Sequence, residues 1–485
     1  MKSSVKKNYI YNLIYQILVI LLPLITAPYV SRVLGAENIG IYSYTTSIAS
    51  YFILLGSLGI ALYGQREIAY YQNENKKFTQ KFWEIFILKA ITLSISTIIF
   101  YFSFVYRTNE YNIYYMVLLI EIIGNIFDIS WFFQGLEEFK KTVLRNIFIK
   151  ILCLILIFTF VKTEQDLIKY FFINVISLFL GNLSLWLYLP KYLVRVRTKD
   201  LNIIKHLKPI LILFIPEIAI QIYTLLDKTM IGAIYADKSE VGFYEQSQKI
   251  IKLLLTVVTS LGTVLLPRIA NFFANNKKEE VYTYIRKSFN YVYILAFPMI
   301  FGIIAVAKEF VPLFFGPGYD KVVILMGTIS PILLFIGMSN VIGRQYLLPT
   351  KRQKEYTISV VVGAVINFIA NSCLIWRLGA LGASIGTIIA EFTVTLVQLI
   401  FVRNEFNIKE IIFLSRNYLI ASIIMYGVCK LVGIIPVATI VSLILQVVIG
   451  AMAYILILLV IKDQFTYDIL NQIKGKVLGK LKNKE

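Results

Sequence analysis

Long apolar stretches divide the chain, separated by short segments that carry charges, glycine or proline. Fourteen such runs stand out, at 9–31, 39–62, 83–105, 112–135, 143–161, 167–190, 209–234, 250–273, 288–312, 322–347, 357–376, 380–402, 416–435 and 438–461. A helix needs about 20 apolar residues to cross the hydrocarbon of a bilayer. The runs approach or exceed that length and lack the strict alternation of barrel strands. Each is expected to be a transmembrane helix, spans 1 to 14 in chain order. The breaks at 376–380 and 435–438 predict very short turns. The first run is expected to stay in the protein rather than be cleaved as a signal peptide. It is long, carries Pro23 and Pro28, and ends at Ser31-Arg32 without a small-x-small site.

Composition supports the same class. Of the 485 residues, 58% are hydrophobic and 16% charged, against about 45–50% and about 25% in soluble domains. That excludes an ordinary globular enzyme, a secreted disulfide scaffold and a disordered chain. The fold class expected is an all-α polytopic membrane protein. Cys153, Cys373 and Cys429 lie in or beside apolar runs without metal-ligand spacing, and His206 is the single histidine. No metal site and no histidine-based catalysis are expected.

Net charge is +20, which raises the question of nucleic acid. Position answers it. With the N-terminus inside and the spans alternating, 34 of the 48 basic residues fall in cytoplasmic segments or the span ends beside them, 10 in outside segments or the span ends beside them, and four (Lys89, Lys150, Lys228 and Lys252) are assigned to spans. Such asymmetry is the positive-inside pattern, so nucleic acid is not an expected partner. Both termini, and the 63–82, 191–208 and 274–287 loops, are expected to be cytoplasmic. The basic tail 462–485 is expected to lie along the anionic inner leaflet.

A repeat is visible. Residues 35–42 read GAENIGIY and residues 237–244 read DKSEVGFY, an offset of 202. Six spans separate the copies, so the repeats run parallel. The longest basic loop, 191–208, lies between the halves. The expected organisation is an N-lobe over 1–200 (spans 1–6), a C-lobe over 201–408 (spans 7–12), two extra spans over 409–461 and the tail 462–485. Transporters built from repeats bind substrate near the repeat interface and rock one repeat against the other.

Ionisable groups inside spans mark candidate chemistry, because a charge at a helix centre costs about 2.5–3.5 kcal/mol to insert. On span 7, Glu217, Gln221, Thr224 and Lys228 fall within ~60° of one another at 100° per residue, and Asp227 borders the stripe. Span 4 aligns Glu121, Asn125 and Asp128, and span 1 carries Asn12 and Gln16. Span 10 adds Asn340 and Arg344, span 11 Asn367 and Asn371, span 12 Glu391, and Arg32 ends span 1. These groups either line a water-filled cavity or pair between helices to fix packing. Lys89 and Lys150, near the cytoplasmic ends of their spans, are expected to snorkel to the interface. Pro23, Pro216, Pro267, Pro298 and Pro331 fall within spans, either as static kinks or as bending points. The chain carries no Walker motif, dinucleotide fingerprint, metal signature or catalytic triad pattern. No cofactor is expected; an ion gradient, the membrane potential or consumption of product must supply energy.

Several motifs resemble those of Wzx-type polysaccharide repeat-unit flippases. They are SRVLGAENIGIY at 31–42 with LGSLGI at 55–60, WFFQGLEEFK at 131–140, LDKTMIG at 226–232 followed by VGFY at 241–244, and LPR at 266–268. The resemblance covers most of residues 1–400. It implies membership of the multidrug/oligosaccharidyl-lipid/polysaccharide exporter superfamily and a V-shaped pair of six-helix lobes in a bacterial cytoplasmic membrane. It also implies a substrate, undecaprenyl-diphosphate-linked oligosaccharide, moved to the outer leaflet by alternating access for capsule or O-antigen assembly. A proton or sodium gradient is the implied driving force; membrane lipids, a polysaccharide polymerase and a chain-length regulator are the implied partners. Lys228, Arg344 and Arg32 are then candidates for the diphosphate. Two relatives remain as alternatives. Drug/ion antiporters often carry a carboxylate in span 1, which is absent here; lipid II flippases cluster arginines early, where this chain has only Arg32 and Arg66. A membrane glycosyltransferase would need a larger outside loop than 235–249.

Overall fold

The computed structural model describes residues 5–107 and 110–471. Nearly all of the described structure is helical, with no strand among the described residues. Twelve helical stretches among them are long and apolar enough to cross a membrane. One, Leu21–Tyr71, is 51 residues long and runs from the second half of span 1 through span 2. Helix α1 (Val5–Ser57) is broken between them at Gly35, whose φ of 76° and ψ of 171° suit glycine alone. Span 7 corresponds to α8 (Leu207–Ile234), 28 residues long, which with the paired spans accounts for the fourteen expected. The chain is thus a multi-pass α-helical membrane protein.

Contacts divide the chain into two compact units, ending at Glu245 and beginning at Gln246. The repeat puts the lobe boundary near 200; by contact the first unit extends further, because α8 packs along α1. The first unit also contains α2 (Ile60–Tyr71), α3 (Asn75–Phe100), α4 (Asn112–Ile126), α5 (Ser130–Gly135), α6 (Phe139–Phe160) and α7 (Leu167–Ser184). Helix α1 is its hub, touching α3, α4, α6, α7 and α8. At one end, Phe82, Trp131, Phe132, Phe133 and Leu185 are fully buried, with Phe82 edge-on to Phe132 at 5.0 Å.

The basic connector 191–208 is pinned to this unit. Fully buried Glu84 accepts from the Asn202 amide and Lys205 Nζ, both at 2.8 Å, and from Gln80 at 2.9 Å. Its other oxygen meets His206 Nε2 at 2.7 Å, and His206 Nδ1 meets the Tyr63 hydroxyl at 2.6 Å. The single histidine is therefore a structural pin, fastening the segment that precedes α8 to α2 and α3.

The second unit contains most of α9 (Ser239–Ala274), then α10 (Lys278–Phe315), α11 (Asp320–Ile329), α12 (Ile332–Ser339), α13 (Gln353–Leu378), α14 (Ala380–Val402), α15 (Ile408–Leu414), α16 (Arg416–Gly433) and α17 (Thr439–Val460). Its hub is α10, against which α11, α12, α16 and α17 pack; α13 and α14 form a tight hairpin. Span 10 is not one helix. It breaks at Pro331, where proline starts α12, and ends in a π-helical segment Asn340–Leu347.

Candidate functional site

The motif stretches at 35–45 and 226–245 assemble in the first unit. After the Gly35 break, α1 crosses the start of α9 so closely that a Cβ on Gly40 would lie 1.7 Å from the Lys238 carbonyl oxygen. A Cβ on Gly242 would lie 2.0 Å from the Ala36 carbonyl oxygen. Gly40 and Gly242 are equivalent residues of the repeat, so its two copies meet each other. Next to them, Ser43 Oγ donates to Glu245 Oε2 at 3.1 Å, again an equivalent pair separated by 202 residues.

Helix α8 supplies the other half. Lys228 Nζ forms an ion pair with Glu245; their side chains are 16% and 22% exposed. Buried Asp227 accepts from the Tyr244 hydroxyl. Thr229 and Ser47 share a hydrogen bond of 3.0 Å. Lys238 closes the turn between α8 and α9. It donates to the Tyr235 carbonyl at 2.7 Å and lies over the Tyr44 and Tyr111 rings, at 5.2 and 5.8 Å from their centroids. Burial pulls its pKa below the usual lysine range, while Glu110 and Asp237 pull it up.

The polar groups of α8 point two ways. Gln221 is exposed and Thr224 half-buried, its hydroxyl donating to the Gln221 carbonyl at 2.9 Å. Lys228 continues that face, while Asp227 turns into the α9 contact. The Glu217 side chain lies outside the described residues, as do those of Asn12 and Gln16. Glu245, the partner of Lys228, was hidden from the sequence reading because 235–249 reads as a loop, whereas α9 already begins at Ser239. Its one signal is its place directly after the repeated tyrosine.

On span 4 the helix breaks between α4 and α5. Asp128 Oδ1 accepts from the Ser130 amide at 2.9 Å, while the Asp128 carbonyl accepts from Lys89 Nζ at 2.8 Å. Trp186 Nε1 donates to the Phe127 carbonyl at 2.9 Å, and Asn182 Nδ2 to the Gly124 carbonyl at 3.0 Å. The freed carbonyls of the break are thereby satisfied. Lys89 does not snorkel as expected: it is 5% exposed, because the break offers it the Asp128 carbonyl. Asn125 donates to the Glu121 carbonyl at 2.9 Å, and the Glu121 side chain is half-buried. Arg32 is exposed near the Gly35 break. Asn340, Arg344 and Glu391 belong to the second unit. Arg344 is exposed, Glu391 is buried, and Asn340 Oδ1 accepts from Gln345 at 3.3 Å. Of the candidate residues, then, Asp227 and Lys228 both meet the start of α9, while Glu121, Asn125 and Asp128 lie along broken span 4. Among the described residues no cluster of three or more metal-ligating side chains occurs.

Comparison with known proteins follows the same lines. The chain matches the family described as "Polysaccharide biosynthesis protein" over residues 5–273 and the family described as "MatE" over residues 213–372. It is 29% identical over 409 residues to an Escherichia coli K12 protein named "Putative O-antigen transporter", covering 83% of this chain and 98% of that one. It is 22% identical over 216 residues to the Haloferax volcanii protein named "Probable low-salt glycan biosynthesis flippase Agl15", covering 44% of this chain and 45% of that one. In fold it is similar to a solved "Lipid II flippase MurJ, inward closed conformation", with a TM-score of 0.75 at 17% identity over 95% of this chain and 100% of that one. Matched over more than half its length, the chain belongs to the polysaccharide biosynthesis protein family, whose Wzx-type flippases its motifs resemble.

Proposed function

We propose that the protein translocates undecaprenyl-diphosphate-linked oligosaccharide repeat units from the inner to the outer leaflet of a bacterial cytoplasmic membrane, for O-antigen- or capsule-type assembly. No bond is made or broken; the work is moving a polar head through the bilayer by alternating access. The reading is supported by the family and by the names of its glycan-exporting relatives.

The observation that carries it is Lys228. An ammonium in a membrane-crossing helix is costly to insert. Here it shares a face with exposed Gln221 and is held by Glu245. A diphosphate arriving on that face can replace the carboxylate as its partner, since both offer charged oxygen acceptors. Gradient energy enters through carboxylates whose ion or proton affinity differs between the two access states; equal affinity would shift nothing. Glu217 and Glu121 are the coupling candidates, and a polysaccharide polymerase and chain-length regulator are the partners downstream.

The test is reconstitution of the full chain in proteoliposomes loaded with lipid-linked oligosaccharide, with appearance of glycan on the opposite leaflet as the readout. Wild type should translocate, Lys228→Ala should be slowed at equal protein level, and Lys228→Arg should retain part of the rate. Wild type that binds but does not move the lipid would overturn the reading. Glu217→Gln flipping at the wild-type rate with the same gradient dependence would remove that residue from the coupling role.

A further inference from the structure

Three turns of the second unit converge at one end of its helices: 274–278 between α9 and α10, 348–352 before α13, and 403–407 after α14. Between them lies a cavity of about 520 Å³, within the ~300–1,000 Å³ range of small-molecule sites. Its wall is aromatic. Tyr282 and Phe406 stack at 5.7 Å and 15°, and Tyr346 stands edge-on to Phe406 at 4.7 Å and 81°.

Its polar groups are held from behind. Arg352 donates to both oxygens of Glu405 at 2.7 and 2.5 Å, to Glu355 Oε1 at 3.0 Å and to the Phe401 carbonyl at 3.0 Å. The Tyr346 hydroxyl donates to Glu405 Oε2 at 2.7 Å. The Tyr282 hydroxyl donates to Glu410 Oε2 at 2.8 Å, a carboxylate that also meets Arg286 at 3.2 Å. Rings and carboxylates are therefore fixed before any ligand arrives, which reduces the ordering cost of binding. Asn276 and Lys351, in two of the turns, adopt left-handed φ values of 56° and 64°, a conformation that costs energy away from glycine.

The chemistry of the lining selects the ligand class. Two cations line the cavity; Arg352 is already engaged by two carboxylates, so a phosphate would have Lys278 alone against the carboxylate of Glu405. A purely apolar molecule would cover Glu405 and Asn404, both exposed at the rim, and leave them without water. A pyranose suits both halves: its C–H face lies on aromatic rings, and its hydroxyls reach the carboxylate and the amide. The three turns carry Lys277, Lys278, Lys351, Arg352 and Arg403, which belong to the basic set expected on the cytoplasmic side, where lipid-linked glycan is loaded. We propose that this cavity is a saccharide-binding subsite that takes a sugar of the glycan before translocation. The assignment of that sugar to a flipped lipid rests on the function proposed above; the cavity's affinity for saccharide does not.

The experiment uses the full chain in phospholipid nanodiscs. The probe is free oligosaccharide released by mild acid from the host's own lipid-linked pool, and saturation transfer to its ring protons reports binding. Wild type should show transfer. Asn404→Trp, which fills the mouth with a ring, should weaken affinity roughly tenfold or more, about 1.4 kcal/mol. Glu405→Gln should weaken it several-fold; its thermal midpoint separates lost binding from lost fold. No transfer to wild type, or equal affinity in Asn404→Trp, overturns the subsite. Flipping is scored separately in proteoliposomes. Wild type that flips without binding free saccharide leaves the transport reading intact and removes the subsite. Wild type that binds saccharide but does not flip does the reverse.

Discussion

At the scale of single residues, the first unit is built on charges that satisfy one another inside the membrane. Removing one partner of such a pair costs more than removing both, because the survivor is left without its partner. Lys228→Ala should therefore lower stability by about 1–3 kcal/mol, read as a drop in thermal midpoint in detergent. Lys228→Met combined with Glu245→Gln should recover most of that loss and yet not recover translocation. Recovery of both would make the pair purely structural. His206 gives a second test. Burial, with help from Lys81 and Lys205, holds its pKa below the usual 6.5, against the opposing pull of Glu84. In the window between the folded and unfolded values the unfolded chain binds more protons, so stability falls as pH drops through it. The stability advantage of wild type over His206→Asn should shrink from about pH 7.5 to about pH 5.5, as thermal midpoints would show; a constant difference would contradict it. The shared face of Gln221, Thr224 and Lys228 on α8 is legible because helical periodicity places residues three, four and seven apart on one side. Glu245 and Glu84 were not, since their partners come from elements whose pairing no local spacing records.

Elements carry a different kind of information. Apolar run length located the twelve membrane-crossing stretches of the described residues, because the bilayer sets a minimum length independent of tertiary packing. It could not show that span 4 breaks at Asp128, since a broken helix and an intact one are equally apolar. Pro331 did signal the break in span 10, because proline acts on the backbone itself. Lys89→Ala should strand the Asp128 carbonyl and cost about 1–3 kcal/mol, measurable as a lowered thermal midpoint; an unchanged midpoint would mean that water or lipid headgroups reach that depth. The crossing of α1 over α9 makes a sharper prediction. Gly40→Ala or Gly242→Ala places a methyl group against backbone, which cannot rotate away. Each should destabilise by about 1–3 kcal/mol, and Gly242→Leu should prevent accumulation of folded protein in the membrane. Wild-type levels of Gly242→Leu would mean that the two segments are not held this close.

For the whole molecule, the distribution of basic residues predicts the sidedness. Single cysteines at Asn75, Lys199 and Asn276 should resist an impermeant thiol reagent in intact cells and react after permeabilisation. Labelling of any one in intact cells would overturn the fourteen-span topology. Sidedness can be predicted from sequence because it follows charge counts during insertion rather than packing; the meeting of the repeat copies cannot, since periodicity reveals that two segments are alike but never that they touch. That meeting has a consequence for how the sequence can change over time. Gly40 faces Gly242, and Ser43 faces Glu245, each across an offset of 202 residues. A duplicated segment ordinarily drifts apart from its twin freely. Here each copy is the other's environment, so a change in one alters the fitness of changes in the other. Random mutagenesis that starts from a crippled Gly40→Ala protein should return second-site revertants concentrated at 236–245 rather than scattered through α1.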